Sequence, residues 1–394
     1  MTKRHVILSG ITLGLTLLAI DGLIGVYLRY FYVVPDIREG LKEKMQIIEH
    51  PYKSYMNKPG EKFYDGIAMA NEYGHLVLPQ DQGISRIKKK SGEYRILFLG
   101  GSTTFQPWPF YTVELLNKRS TTPERREYKA ISASAGGYTS QENVIDLVIS
   151  GFSYEPDMVV AYLPINDIFW LSFYPDFKRD YSHMRIPYRI KEGSGETKPV
   201  YEPVGYPFIL ELVNRYKYKN ALNGYLKKAD LSYLTMKQPI PWPEPPTYRG
   251  YDIGYAQAVD ALIDNIFNMK TLCEARHIKF ILITQKLFRY PHGYESRNPF
   301  AELIDELTFD AIGKIRSSKR LEGTTIVEMQ NKMPNEWGKE SIRVAEEYFP
   351  DSKFDYTERM GYDDMHFNNA ALHLFAALVY QNISGDIENR PTVN

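Results

Sequence analysis

Short apolar runs alternate along the chain with longer segments of helical period. Five runs read as buried strands: Arg95–Leu99, Tyr128–Ser132, Met158–Tyr162, Lys279–Thr284 and Thr325–Glu328. The segments between and after them predict helices over about Phe110–Arg119, Gln141–Ser150, Gly254–His277, Ala301–Ser318 and Asn369–Ile383. Strands that alternate with helices in this way predict an α/β fold built on a parallel, doubly wound sheet.

The N-terminus follows another pattern. Lys3, Arg4 and His5 precede a largely apolar run from Val6 to Leu28. As a helix this run is about 34 Å long, enough to cross a bilayer. It ends in Tyr27-Leu28-Arg29-Tyr30-Phe31-Tyr32, an aromatic and basic belt suited to a membrane interface. A cleaved signal peptide has a shorter apolar region and small residues at the cut. The pattern therefore predicts an uncleaved signal anchor over residues 6–28, without a lipobox cysteine. The basic tail is expected in the cytoplasm and the residues after about 33 outside it, in the periplasm of a Gram-negative cell. Arg29, Arg38, Lys42 and Lys44 on the other flank pull against that orientation. Within the run, Asp21 is an ionisable group in a costly place, and Gly10 and Gly14 allow close helix approach. Together they point to a membrane partner; the alternative is that Asp21 snorkels to the outer interface.

Residues 1–33 thus form the tail and anchor. Residues 34–93 form a juxtamembrane segment expected to pack on the main domain. Arg38–His50 is charged and helical in pattern, and His50–Gly60 and Asn71–His75 read as extended loops. Lys88–Gly92 is a polar boundary, and the main domain spans 94–394. An insertion at about 170–251 is rich in Tyr, Lys and Pro. It follows the third strand, so it is expected near the carboxyl edge of the sheet as a lid or substrate-binding wall.

Composition narrows the function. With 43% hydrophobic residues the chain can fill a core, and Lys+Arg and Asp+Glu number 48 each. A zero net charge gives no basic surface for nucleic acid. The 31 tyrosines suit carbohydrate or protein contact surfaces, and equally amphipathic packing. Cys273 is the one cysteine, so no intrachain disulfide forms, and no Cys/His cluster suggests zinc. No metal or organic cofactor is expected.

Four stretches carry chemistry. The first strand stops at Gly100-Gly101 and Ser102 follows, at a tight turn before a helix. The carboxyl edge of a parallel sheet is where open α/β folds place their ligands, so Ser102 is the candidate nucleophile. Past the second strand, Ser134–Ser140 contains Gly137, whose N–H can face an anion. The third strand ends in Pro164-Ile165-Asn166-Asp167, and the Asn166 amide can donate too. Asp363-Asp364-Met365-His366 precedes the last helix; a carboxylate at i and an imidazole at i+3 let one ring nitrogen be held while the other faces a site. Each has an ordinary reading as a turn glycine, a cap or a helix start. Their joint occurrence at strand and helix junctions favours a site. Asp364 competes with Asp363 for the pairing role. Asp167 is read as bracing its loop, Gln285 as facing the site edge, and Cys273 as core. His75, His183, His277, His292 and His373 are read as surface or packing residues.

In these stretches, over about 94–170 and 279–383, the chain resembles the SGNH (GDSL-type) hydrolases, and its leader His50 to Gly74 resembles those of membrane-anchored bacterial members. Ser102 after Gly100-Gly101, Gly137, Asn166, and Asp363 with His366 match the four blocks of that superfamily. Ser132 and Pro164 depart from its usual Asn and Gly, and no G-x-S-x-G elbow is present. The resemblance implies a flavodoxin-like three-layer α/β/α fold. It implies Ser102 as nucleophile, His366 as general base and Asp363 as its orienting carboxylate. The oxyanion would be held by the Ser102 and Gly137 N–H groups and the Asn166 side chain. The implied activity is a serine esterase, or an acyltransferase where a sugar hydroxyl replaces water, acting on acyl, chiefly acetyl, esters of envelope or secreted carbohydrate. A membrane-bound O-acyltransferase is the implied partner. A lipid ester substrate, and a non-catalytic subunit of a membrane assembly, are the alternatives.

Overall fold

In the computed structural model, the residues described are 3–30, 46–48, 50, 52–53, 55–86, 88–120, 126–169, 177–181, 188–190, 197–199, 251–288, 301–361 and 366–388. The chain divides into two compact units, one of residues 1–46 with 185–241 and the other of 47–184 with 242–394.

The first unit contains helix α1 (Lys3–Tyr30) and an antiparallel pair of short strands at Tyr188–Ile190 and Thr197–Pro199. On α1, Leu13, Leu15, Leu17, Leu18 and Leu23 are 57–69% exposed, whereas Asp21 is buried. Among the described residues no helix is long and apolar enough to cross a membrane. The continuous stretch of α1 with described side chains runs only from Thr12 to Tyr27.

The second unit is built on an eight-stranded sheet. Its strands in chain order are β1 (Lys62–Phe63), β2 (Ala68–Ala70), β3 (Leu76–Val77), β4 (Glu93–Gly100), β5 (Glu127–Ser134), β6 (Met158–Leu163), β7 (Lys279–Thr284) and β8 (Thr325–Glu328). Across the sheet they run β8-β7-β6-β4-β5-β3-β2-β1. The last five in sequence are parallel, in the order β5-β4-β6-β7-β8. This is the 2-1-3-4-5 arrangement of flavodoxin-like sheets, with its switch point between β4 and β6. The parallel strands fall on the five apolar runs. Such runs are continuous because both faces are covered. Alternate side chains go to opposite layers: Ile96 and Phe98 join one core, Leu97 and Leu99 the other.

Helices α3 (Trp108–Arg119), α9 (Lys339–Tyr348) and α10 (Asn369–Glu388) supply the first core, which includes Trp108, Val344 and Phe375. Helices α4 (Ser140–Ile149), α6 (Tyr251–Glu274) and α7 (Ala301–Ser317) supply the second through Leu147, Leu262, Met269 and Ile315. Short helices α2 (Ser102–Phe105), α5 (Ile165–Phe169) and α8 (Met329–Lys332) follow β4, β6 and β8 directly. Cys273 is buried in the second core, and burial pushes its thiol up to about 12.

The segment before residue 94, expected to pack on the domain, enters the sheet itself. β1, β2 and β3 add antiparallel to one another and then to β5. The helix expected over Arg38–His50 lies mostly outside the described residues, and Ile47–Ile48 instead pairs with Met56–Asn57 as a short antiparallel ladder. The insertion at 170–251, with its expected lid role, lies almost wholly outside them. Of its described part, Phe177 and Tyr181 pack with Ile165 and Ile168 of α5 and with Tyr255 and Val259 of α6.

Candidate active site

Ser102 is the first residue of α2, directly past the carboxyl end of β4. Its neighbour Gly101 is the helix N-cap in extended conformation. A side chain there would collide with the site: a Cβ on Gly101 would lie 2.1 Å from Asn166 Nδ2 and 3.1 Å from the Tyr138 carbonyl. Gly100 is equally constrained, since its Cβ would lie 2.0 Å from Thr104 Oγ1. Glycine at 101 thus lets the end of β4 come close to Asn166 and Tyr138, and glycine at 100 leaves room for Thr104 of α2.

His366 lies just before α10, and its Nε2 is 2.8 Å from Ser102 Oγ. A hydroxyl within hydrogen-bond reach of an imidazole is the arrangement that activates a serine. His366 is held from behind by its neighbour. Gln106 donates from Nε2 to the Phe367 carbonyl at 2.9 Å and accepts the Phe367 N–H at 3.2 Å. Gln106 and Phe367 are both buried. Both hydrogen bonds of one side chain therefore fix the backbone that carries the imidazole. The expected orienting carboxylate, Asp363, and its competitor Asp364 lie outside the described residues.

Asn166 is buried in α5, at the carboxyl end of β6. Its Nδ2 donates to the Tyr138 carbonyl at 2.7 Å. The amide has two hydrogens, so one positions the group and the other is left for a ligand. Gly137 sits in the loop between β5 and α4 with φ +75°, a left-handed conformation that favours glycine. The structure thus brings Ser102, His366 and Asn166 together, with Gly137 next to the Tyr138 carbonyl that Asn166 holds.

The loop bearing Gly137 is fastened at both ends. At its far end Glu142 accepts the Thr139 N–H at 3.0 Å and also the Thr139 hydroxyl, a capping pair for α4. Asp167 accepts the Ser140 N–H at 3.0 Å, the Ser140 hydroxyl at 2.6 Å and the Tyr181 hydroxyl at 2.5 Å. Burial pushes the Asp167 carboxyl up to about 6 against the pull of those donors. At its near end Asn57 donates to the Ser134 carbonyl at 3.0 Å, and the Tyr138 hydroxyl donates to the Tyr55 carbonyl. Lys53, also from the leader, is buried and pairs with Asp146 of α4 at 2.5 Å. Asp146 also bonds His75 Nε2 at 3.0 Å, and His75 Nδ1 meets the Tyr154 hydroxyl at 2.9 Å. The charges of His75 and Lys53 hold Asp146 below the usual carboxylate range despite burial. Burial, and next the Lys53 charge, lower His50 to about 4. His75, expected to be an ordinary packing residue, is therefore part of a buried polar network beneath the loop.

On the other side of Ser102, Gln285 at the end of β7 donates to Thr103 Oγ1 at 3.2 Å. Trp108 Nε1 donates to the Thr103 carbonyl at 2.9 Å. Gln106, Asn57, Lys53 and Asp146 went unsingled in the sequence. Lys53 and Asp146 are 93 positions apart, and no local motif links such a pair. The one available signal is T-x-x-E at Thr139–Glu142, which marks the start of α4. His183 and His292 lie outside the described residues. His277 lies in the turn after α6 with φ +59°, and His373 of α10 stacks on Tyr111 with ring centres 4.1 Å apart. Among the described residues no group of three or more His, Cys, Asp or Glu is placed to hold a metal ion.

No protein-family model matches the chain, and no curated protein does. Among solved structures it is similar to a GDSL-like lipase from Bacteroides thetaiotaomicron, at 13% identity over 77% of this chain and 94% of that one, TM-score 0.37. It is also similar to a lipase/acylhydrolase from Enterococcus faecalis, at 13% identity over 74% of this chain and 96% of that one, TM-score 0.34. A third is a catalytic mutant of an acetylxylan esterase from Geobacillus stearothermophilus, at 10% identity over 74% and 94%, TM-score 0.35.

Proposed function

We propose that this chain is a serine esterase or acyltransferase of the SGNH type. The carrying observation is the 2.8 Å approach of His366 Nε2 to Ser102 Oγ at the switch point of a 2-1-3-4-5 sheet, with Asn166 beside it. His366 takes the Ser102 proton as Oγ attacks an ester carbonyl. The tetrahedral oxyanion receives the second Asn166 hydrogen and the N–H groups of Ser102 and Gly137. The alcohol leaves with the proton from His366, and an acyl-serine remains. Water, or a sugar hydroxyl, then attacks with His366 again as base and frees the acyl group. Asp363 orients His366 and stabilises its charged form.

The substrate class we propose is an acetylated carbohydrate of the cell envelope or of a secreted polysaccharide. We place the catalytic unit outside the cytoplasm, tethered by α1. Exposed leucines along α1, and a 23-residue sequence run whose one charged residue is Asp21, support that reading. Leucines at such exposure call for an apolar partner such as lipid. A membrane-bound O-acyltransferase is the partner this arrangement suits.

The test is labelling of the full-length, detergent-solubilised protein by a fluorophosphonate probe. Wild type should be labelled, and Ser102→Ala and His366→Ala should not. A folded wild type that resists the probe, or Ser102→Ala labelled as strongly as wild type, refutes the reading.

A further inference from the structure

Among the described residues, Lys286 is the one buried cation at the carboxyl edge of the sheet that the proposed chemistry does not use. It stands two residues past β7, at the carboxyl edge that also carries Ser102, and is 1% exposed. Its backbone N–H donates to the Tyr162 hydroxyl at 3.0 Å. Its ammonium donates to Asn335 Oδ1 at 2.7 Å and lies 5.5 Å from the Phe288 ring centre. Among the described residues no carboxylate pairs with it. Burial alone lowers it to about 8, so it is still charged at neutral pH. A buried ammonium without a counter-charge is expensive, and such groups are found paired. Lys53, which is also buried, has its aspartate.

Lys286 and Asn335 line a cavity of about 610 Å³ between α8, α9 and α10. The rest of the wall is rich in amides, from Gln330, Asn331 and Gln381. The other charges in the wall are largely balanced. Arg343 is bound to Glu340 at 2.6 Å and to Glu347 at 2.7 Å, and the wall holds one further charge of each sign, Lys332 and Glu336. Lys286 is left as one uncompensated positive charge in a cavity of sugar size. The carboxylates of Glu336 and Glu340 disfavour a dianion there more than a monoanion. Amide groups match the hydroxyls of a polyol, and an ammonium matches a carboxylate.

We propose that this cavity is a binding site for a carboxylate-bearing sugar, a uronate, with its carboxylate on Lys286 and its hydroxyls on the amides. The site is separate from Ser102, and its existence does not rest on the esterase reading. It would seat an acidic residue of a glycan whose acyl group is presented elsewhere.

Isothermal titration of the full-length protein in detergent with glucuronate, glucose and inorganic phosphate tests this. Glucuronate should bind, glucose at least tenfold more weakly, and phosphate more weakly than glucuronate. Ser102→Ala should bind glucuronate as wild type does, which separates the site from the catalytic reading. Lys286→Met, checked for folding by circular dichroism, should lose at least tenfold in affinity, and Lys286→Arg should retain part of it. Absence of glucuronate binding by wild type overturns the proposal, as does unchanged binding by Lys286→Met. Phosphate binding equal to or tighter than glucuronate overturns the uronate assignment.

Discussion

Gly101→Ala isolates one element of the site with one carbon atom. The Gly101 backbone is extended, with φ −96° and ψ −150°, so alanine meets no conformational penalty of its own. The cost falls on Asn166, whose Nδ2 would be 2.1 Å from the new Cβ. Contacts of that kind need more than about 3 Å, so the amide must retreat by roughly 1 Å. It cannot retreat along its present direction without loosening its 2.7 Å bond to the Tyr138 carbonyl. A displacement of that size is enough to remove a donor from the oxyanion, and such losses cost about 10²–10³ in kcat, or about 3–4 kcal/mol of transition-state stabilisation. The broken bond to Tyr138 should cost the fold only about 1 kcal/mol. The assay is hydrolysis of p-nitrophenyl acetate, with the melting temperature read alongside. Asn166→Ala should lower kcat by a similar factor. Because both changes act on the same amide, the double variant should be little worse than either single one. A folded Gly101→Ala protein within threefold of wild-type kcat refutes the reasoning, and so does a double variant whose losses simply add.

Other perturbations have equally definite outcomes. Gln106→Ala leaves the buried Phe367 N–H and carbonyl without partners, at about 1–3 kcal/mol each; kcat should fall with KM nearly unchanged, as steady-state kinetics will show. Asp146→Asn strips the buried Lys53 of its counter-charge and should cost about 3–5 kcal/mol at pH 7 by urea unfolding. Asp146 is held below its ordinary value in the fold, so its contribution is present above that value and is lost as pH falls through and below it. The gap between Asp146→Asn and wild type should accordingly narrow in acid. For Lys286 stability also rises with pH, but here it is the charged form that is costly in the fold. Unfolded, it holds its proton to 10.5, and folded only to about 8, so wild type gains stability as pH rises through that window. Below pH 8 the buried charge costs at most about 3 kcal/mol. Lys286→Met should therefore melt higher than wild type at pH 7, with the gain shrinking towards pH 10. Asp363→Asn should lower kcat strongly and leave the melting temperature close to wild type.

The parallel half of the fold was legible because four of its five strands are mostly buried on both sides, with β8 at the edge only partly so. Runs such as Ile96–Leu99 and Met158–Tyr162 need no pairing partner to be recognised, and each was bounded to within two residues or so of its observed ends. Ser102, Asn166 and His366 were legible for a related reason: each stands at a strand or helix junction where glycine, proline or a cap interrupts an apolar pattern. The antiparallel strands β1 to β3 were not, being two or three residues long and without alternation to read. Helix α9 was missed because its sequence is charged, with Val344 and Ala345 among its few buried side chains. Gln106 and the Lys53–Asp146 pair act across the fold, and a residue's partner 93 or 261 positions away leaves no trace in local spacing.

The leader strands also decide where the molecule can be cut. β5 is an eight-residue, mostly buried strand, and β3 lies along its outer edge where Leu76 meets Ser132. A shortened form that begins at Tyr94 would remove β1, β2 and β3 and bare the backbone donors and acceptors of that edge. An uncovered strand of this length is a template for pairing with a second copy. The same cut would discard Tyr64, whose hydroxyl donates to the Phe105 carbonyl of α2, along with Lys53 and Asn57. Expression of such a form should yield aggregates rather than an inactive monomer, whereas a boundary ahead of Ile47 keeps the sheet closed on that side.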